Sequence, residues 1–196
     1  YMKYLYKYPQ AAFPYADLVG TNTRRGRTDF EYELLDTGAF AGNRYFDVFV
    51  EYAKAGPEDI LIRITAVNRG PDAAPLHILP TLWFRNTWAW GGEQTRPQLK
   101  MASGDGAVVE AALPDHAPLY LHCEGDVPVL FTENETNHAR LFGSSNGSHY
   151  VKDGINDCVV DGNTAAVNPE RVGTKAAPHY RLEIGGGDEA VIHLRL

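Results

Sequence analysis

Every tryptophan of the chain falls in one short stretch: Trp83, Trp88 and Trp90, with Arg85 and Asn86 between them. Flat apolar faces beside a planar guanidinium and a carboxamide suit a sugar, whose ring stacks on aromatics while its hydroxyls take polar partners. The same residues suit burial against a neighbouring domain, with Trp83 in the core. A second constellation lies in FTENETN, where Glu133 and Glu135 are two residues apart. A strand would place both carboxylates on one face, and a carboxylate pair is the minimum equipment for hydrolysing a glycosidic bond. At a strand-to-helix junction, however, acids favour the helix dipole, and Asn134 is a good cap. Arg85, Asn86, Trp88, Trp90, Glu133 and Asn134 are therefore the candidate substrate-binding or domain-interface residues. No side chain is nominated as catalytic.

Other residue types offer less. Asp153, Asn156, Asp157 and Asp161 supply oxygen ligands in a Gly-containing segment, but not at the spacing of an EF-hand loop. The seven histidines (77, 116, 122, 138, 149, 179 and 193) are dispersed with no pair at ligand spacing. Cys123 and Cys158 make no metal-type pair and read as two free thiols. Phosphate loops, nucleophile elbows and dinucleotide fingerprints are absent from the sequence. The expectation is no cofactor and no metal. The sequons at Asn134 and Asn146 are read as chance matches.

The elements that must hold these residues read as strands. Ile60, Ile62, Ile64 and Ala66 alternate with Arg63 and Thr65, and Leu76, Ile78, Leu82 and Phe84 resume the alternation after the turn chemistry of Asn68 to Asp72. This predicts a hairpin from Asp59 towards Gly92. Met2, Tyr4, Tyr6 and Tyr8 share one face of a first strand, and Arg44 to Ala53 forms another. Tyr32 to Leu35 is a short strand candidate, and Asp17 to Asn22 makes one helical turn. Gly104-Asp105-Gly106 joins 98–103 to 107–112 in a hairpin. Leu119 to Glu124 and Val127 to Phe131 are further strands, 134–142 is the one short helix, and 144–175 is a long loop with a strand or two. Tyr180 to Ile184 and Ala190 to Leu196 close the chain as a second hairpin. Many short strands and little helix predict an all-β fold, a large antiparallel sandwich forming a single domain over 1–196.

Composition bounds the rest. With 44% hydrophobic and 22% charged residues the chain suits a folded core rather than disorder. A net charge of −7 argues against a nucleic-acid partner, which needs a basic face. No apolar run approaches the roughly 18 residues of a membrane span, and no signal peptide is visible, so a cytoplasmic setting is expected. Strand-like alternation is already under way at Tyr1, so the expectation is a fragment of a longer chain.

TLWFRNTWAWGG, VLFTENETN, YVKDGIND and the opening YMKYLYKYPQAAFPYADLV resemble the N-terminal region of bacterial glycoside hydrolase family 63-like proteins, relatives of mannosyl-oligosaccharide glucosidases. The resemblance covers nearly the whole chain and thins around Gly104 to Asp126. It implies a super-sandwich of the galactose-mutarotase type packed on a C-terminal α/α toroid that carries the acid and the base. It further implies hydrolysis with inversion, with carboxyls roughly 6.5–9.5 Å apart. Neither catalytic carboxylate has a counterpart here, so the chain alone is expected to be inactive. Its expected partners are that toroid and an oligosaccharide or glycoside. Two alternatives remain: a self-sufficient carbohydrate-binding module, and a mutarotase-like epimerase using Glu133 with His122 or His138.

Overall fold

A computed structural model describes residues 1–91, 96–114 and 116–196. The fold is all-β: antiparallel sheets in a sandwich-like arrangement, with three short α-helices among the described residues. Two compact units are present. The first comprises residues 1–54, 62–76 and 182–192, the second residues 55–61, 77–181 and 193–196.

The first unit holds β1 (Met2–Pro9) and most of β2 (Tyr45–Gly56), β3 (Asp59–Asn68) and β13 (Glu189–Arg195), which are successive neighbours. β1 and β2 run antiparallel from Met2↔Tyr52 to Pro9↔Tyr45. β4 (Ala74–Ile78) pairs with β12 (Tyr180–Ile184) instead of with β3. The predicted hairpin of 59–92 is thus not formed, because the turn after β3 carries the chain to another sheet. Asn68, fully buried, anchors that crossing. Its amide donates to the carbonyls of Asp72 and Ile184, each at 2.8 Å, and its side-chain oxygen accepts from the Gly70 N–H. The predicted closing hairpin fails in the same way, since β12 and β13 lie in different sheets.

Phe46, Ile64, Ala66, Leu76, Ile184 and Ile192 form the apolar core of this unit. Two buried acids on β2 are paired. Asp47 is bonded by Lys7 at 2.6 Å and Arg69 at 2.7 Å, and Glu51 by Arg63 at 2.7 Å and by the Tyr1 hydroxyl. Burial pushes Asp47 upward, but Lys7 and Arg69 together outweigh it and hold the carboxyl below its usual range. α1 (Tyr15–Arg24) is ten residues long rather than one turn. Leu34–Thr37 is a 3₁₀ turn rather than a strand, fixed by reciprocal bonds between Glu33 and Asp36.

In the second unit, β6 (Gln98–Met101) and β7 (Ala107–Ala112) form the expected hairpin, in register from Gln98↔Ala112 to Met101↔Val109. β8 (Leu119–Cys123) pairs with β7 and with the end of β13, and β10 (Val172–Gly173) with β6. A three-stranded sheet places β11 (Lys175–Pro178) between β5 (Leu82–Trp83) and β9 (Val129–Thr132). Leu99 and Val109 from one sheet and Phe131, Ala176 and Ala177 from the other are fully buried. Burying each of the larger side chains contributes roughly 1.5–3 kcal/mol.

The short helices depart from expectation. α2 spans His138–Phe142, not 134–142, and Asn137 rather than Asn134 caps it. The backbone before it is committed sideways: Glu133 N–H donates to the Tyr150 carbonyl and Lys152 N–H to the Glu135 carbonyl, both at 2.9 Å. α3 (Gly154–Val160) occupies part of the segment expected as loop. Among the described residues no helix is long and apolar enough to cross a membrane.

Candidate functional site

The second unit assembles the candidate residues around one guanidinium. β9 ends at Thr132, and just beyond it Glu133 and Glu135 both reach Arg96, at 2.7 and 2.9 Å. This overturns the helix-dipole reading of the two acids, which lie outside α2. The Trp88 indole N–H donates to Glu135 at 3.0 Å, and Arg96 lies over the Trp88 ring, 5.5 Å from its centroid.

The aromatic side is a single 3₁₀ turn, Trp88–Trp90. Asn86 shapes it by accepting the Ala89 N–H at 3.1 Å, and Arg85 covers Trp90 at 5.0 Å. Trp90 is 67% exposed and Trp83 54% exposed, so Trp83 is not a core residue. The sequence reads 91–97 as a loop, and residues 92–95 of it, including the last glycine of the TLWFRNTWAWGG motif, lie outside the described residues.

Asn134 joins the two sides. Its side-chain amide donates to the Phe84 carbonyl at 2.9 Å, and its N–H donates to Thr174 Oγ1 at 2.8 Å. The Thr174 hydroxyl in turn donates to Glu133 at 2.7 Å. Close backbone packing makes this possible. A Cβ at Gly173 would stand 2.3 Å from the Thr132 carbonyl oxygen, and one at Gly154 2.2 Å from that of Ala166. Glycine is required at both positions by space.

A groove of about 580 Å³ opens beside the cluster. Asn86, Trp88, Trp90, Asn134 and Glu135 line it, together with His138 and Lys152. Four of the six predicted residues therefore border one concavity, while Arg85 and Glu133 stand behind it as supports. Lys175, half-buried, donates to the Lys152 carbonyl at 2.8 Å, and burial followed by the nearby Lys152 charge lowers its pKa. Stacking surface, amides and a carboxylate in one groove match the requirements of a polyhydroxylated ligand. Arg96 holds an oxygen of each carboxylate on one nitrogen, at 2.7 and 2.9 Å, which keeps those oxygens closer than the roughly 6.5–9.5 Å of an inverting site.

Sequence reasoning missed Arg96, Thr174, Lys152 and the role of His138. Arg96 lies only eight residues after Trp88 and is the basic residue nearest the aromatic run on its C-terminal side. That signal was available. Thr174 carried none, since its partners are 40 and 41 residues away. The four oxygen-bearing residues of 153–161 do not converge. Asp153 and Asp157 both face Arg140, at 3.2 and 3.9 Å, and Asp161 caps α3 through its backbone. Among the described residues no three His, Cys, Asp or Glu side chains form a metal-sized cluster.

The histidines contain one pair that spacing could not reveal: His179 Nε2 stands 3.0 Å from His77 Nδ1, across 102 residues. His122 lines a separate opening with Arg195 and Asp59, away from Glu133. Cys123 and Cys158 are free thiols, and burial raises Cys123 to about 11.

Fold and site together define an all-β chain with an aromatic, arginine-bridged groove. No family profile matches it. An uncharacterized protein of Saccharomyces cerevisiae, YMR196W, is 36% identical over 219 residues, an alignment that covers 93% of this chain and 20% of that protein. The chain spans about a fifth of the length of this curated relative.

Proposed function

We propose that this chain is a non-catalytic β-sandwich portion of a longer glycoside hydrolase of glucosidase type, in which the parent protein hydrolyses O-glycosidic bonds with inversion. The groove beside Trp88 and Trp90 is its contribution to the rim of the sugar cleft, where the chain packs on a catalytic α/α toroid. The observation that carries the reading is the Trp88–Arg96–Glu135 cluster. It presents stacking surface and polar partners to a sugar while its carboxylates are already occupied by Arg96. The resemblance of TLWFRNTWAWGG and VLFTENETN to glycoside hydrolase family 63-like proteins supports it, as does the length of the yeast relative. Two free thiols accord with a reducing, cytoplasmic setting.

The second reading, a self-sufficient carbohydrate-binding module, draws on the exposure of Trp90. Calorimetric titration of the isolated chain with gluco- and manno-oligosaccharides separates the two. A rim that needs the rest of the cleft gives no measurable heat. Saturable binding that disappears in Trp90→Ala overturns the rim reading in favour of the module. The epimerase alternative has less support, because Glu133 is engaged by Thr174 and Arg96, and of its two candidate histidines His122 lines another opening and only His138 borders the groove.

A further inference from the structure

Strand β1 is an edge with its ordinary safeguards turned inward. Among the described residues it pairs with β2 alone, which leaves backbone donors and acceptors along its other side. Natural edges are usually blunted by outward-pointing lysines, prolines or bulges. Here Lys7 is bonded to Asp47 at 2.6 Å and lies over the Tyr45 ring, and Lys3 lies over Phe49, 3.8 Å from Glu51. Both cations are drawn towards β2. Pro9 comes only at the end of the strand, which pairs without a bulge from Met2 to Pro9.

The side chains of this edge are apolar and exposed: Met2, Tyr4, Leu5, Tyr6 and Tyr8 are each about half accessible. Their order is self-complementary, since Lys3-Tyr4-Leu5-Tyr6-Lys7 reads the same in both directions. We infer that β1 pairs antiparallel with β1 of a second copy, about a two-fold axis through Leu5. Tyr4 then faces the partner's Tyr6, Leu5 faces the partner's Leu5, and Met2 faces the partner's Tyr8. A two-fold contact must match a surface to itself, and a palindromic strand meets that demand residue by residue. Aromatic cross-strand pairs favour such a ladder. Lys3 opposes the partner's Lys7, but each lysine already has an acid in its own copy. The exposed side chains present on the order of 500 Å² per copy, of which edge pairing covers the flank turned to the partner, so the contact belongs with small, concentration-dependent interfaces.

The test is sedimentation of the intact chain from low micromolar to several hundred micromolar, alone and with Leu5 replaced. Leu5 is half exposed, so Leu5→Lys and Leu5→Glu leave the fold intact, which far-UV circular dichroism checks. The wild-type chain is expected to rise to twice its monomer mass. Each variant alone is expected to stay monomeric, and an equimolar mixture of the two to recover the dimer through a Lys–Glu pair on the axis. A wild-type chain monomeric throughout the range overturns the inference. So does a dimer indifferent to both variants, or a mixture that stays monomeric.

Discussion

Trp88 donates its indole N–H to Glu135 at 3.0 Å, and this bond ties the exposed aromatic turn to the end of β9. Arg96 closes the arrangement by bonding Glu135 on one side and lying against the Trp88 ring on the other. The aromatic surface is therefore held by charge-assisted bonds rather than by burial.

Replacing Trp88 with Phe keeps a ring and removes the donor. A hydrogen bond to a charged acceptor contributes about 1.5–3 kcal/mol, and the partial exposure of this one places it at the lower end. Chemical denaturation of Trp88→Phe, Arg96→Ala and the double variant is expected to show strong non-additivity, since both act on Glu135. Additive losses would mean that the contacts do not operate as one unit.

Thr174 is 1% exposed and serves Asn134 and Glu133 at once. Thr174→Val keeps the shape but strips the Asn134 N–H of its acceptor and Glu133 of a donor. The expected loss is on the order of 2 kcal/mol, read from the denaturant midpoint. Thr174→Ser, which keeps the hydroxyl, should recover most of it.

Three glycines separate space from backbone conformation. Gly154→Ala and Gly173→Ala drive a methyl against carbonyl oxygens, and each is expected to cost about 2–3 kcal/mol by overpacking. Gly143 follows α2 with φ +67° and open space around it. Its alanine variant should lose only about 1 kcal/mol, the cost of a left-handed residue with a side chain. Thermal melts of the three rank them directly.

Acid sensitivity should arise in two stages. His179 is buried, and burial, then Arg181 and His77, lower its pKa. A histidine that prefers to be neutral when folded stabilises the fold fully above the ordinary value near 6.5, and that contribution falls away below it. Asp47 and Glu51 are also lowered, Glu51 by bonds from Tyr1 and Arg63. Their contribution is complete above the ordinary carboxylate range near 4 and is lost as pH drops through the lowered folded values. A stability profile should thus step down below pH ~6.5 and again below pH ~4. His179→Gln should remove the first step, and Asp47→Asn should weaken the second.

Strand existence was legible because the period-two alternation is clean in β1, β2, β3 and β13, and because Gly104-Asp105-Gly106 fixes the β6–β7 turn. Strand partnership was not. Asn68-Arg69-Gly70 signals a reversal, but only the buried Asn68 amide, reaching the Ile184 carbonyl 116 residues away, shows that the chain changes sheet there. The helical turn of Asp17 to Asn22 was legible but the full length of α1 was not, because no residue on it is buried, and Gly20 with Thr21 and Thr23 weakens its helical signal. The site was half legible for the same reason. Trp88, Trp90, Arg85 and Asn86 are neighbours in sequence, whereas Thr174 joins Glu133 and Asn134 only through the β11 side of the sheet.

Hydrolysis assays decide whether the proposed parent is a glycosidase whose catalytic groups lie outside this chain. Release of glucose from aryl glucosides and gluco-oligosaccharides should be measured for the 196-residue chain and for the full-length yeast relative, with anomeric configuration followed by NMR. Turnover with inversion by the long protein, and none above buffer by the chain, is the expected result. Turnover by the chain itself, or a long protein inert on every glycoside, would contradict it.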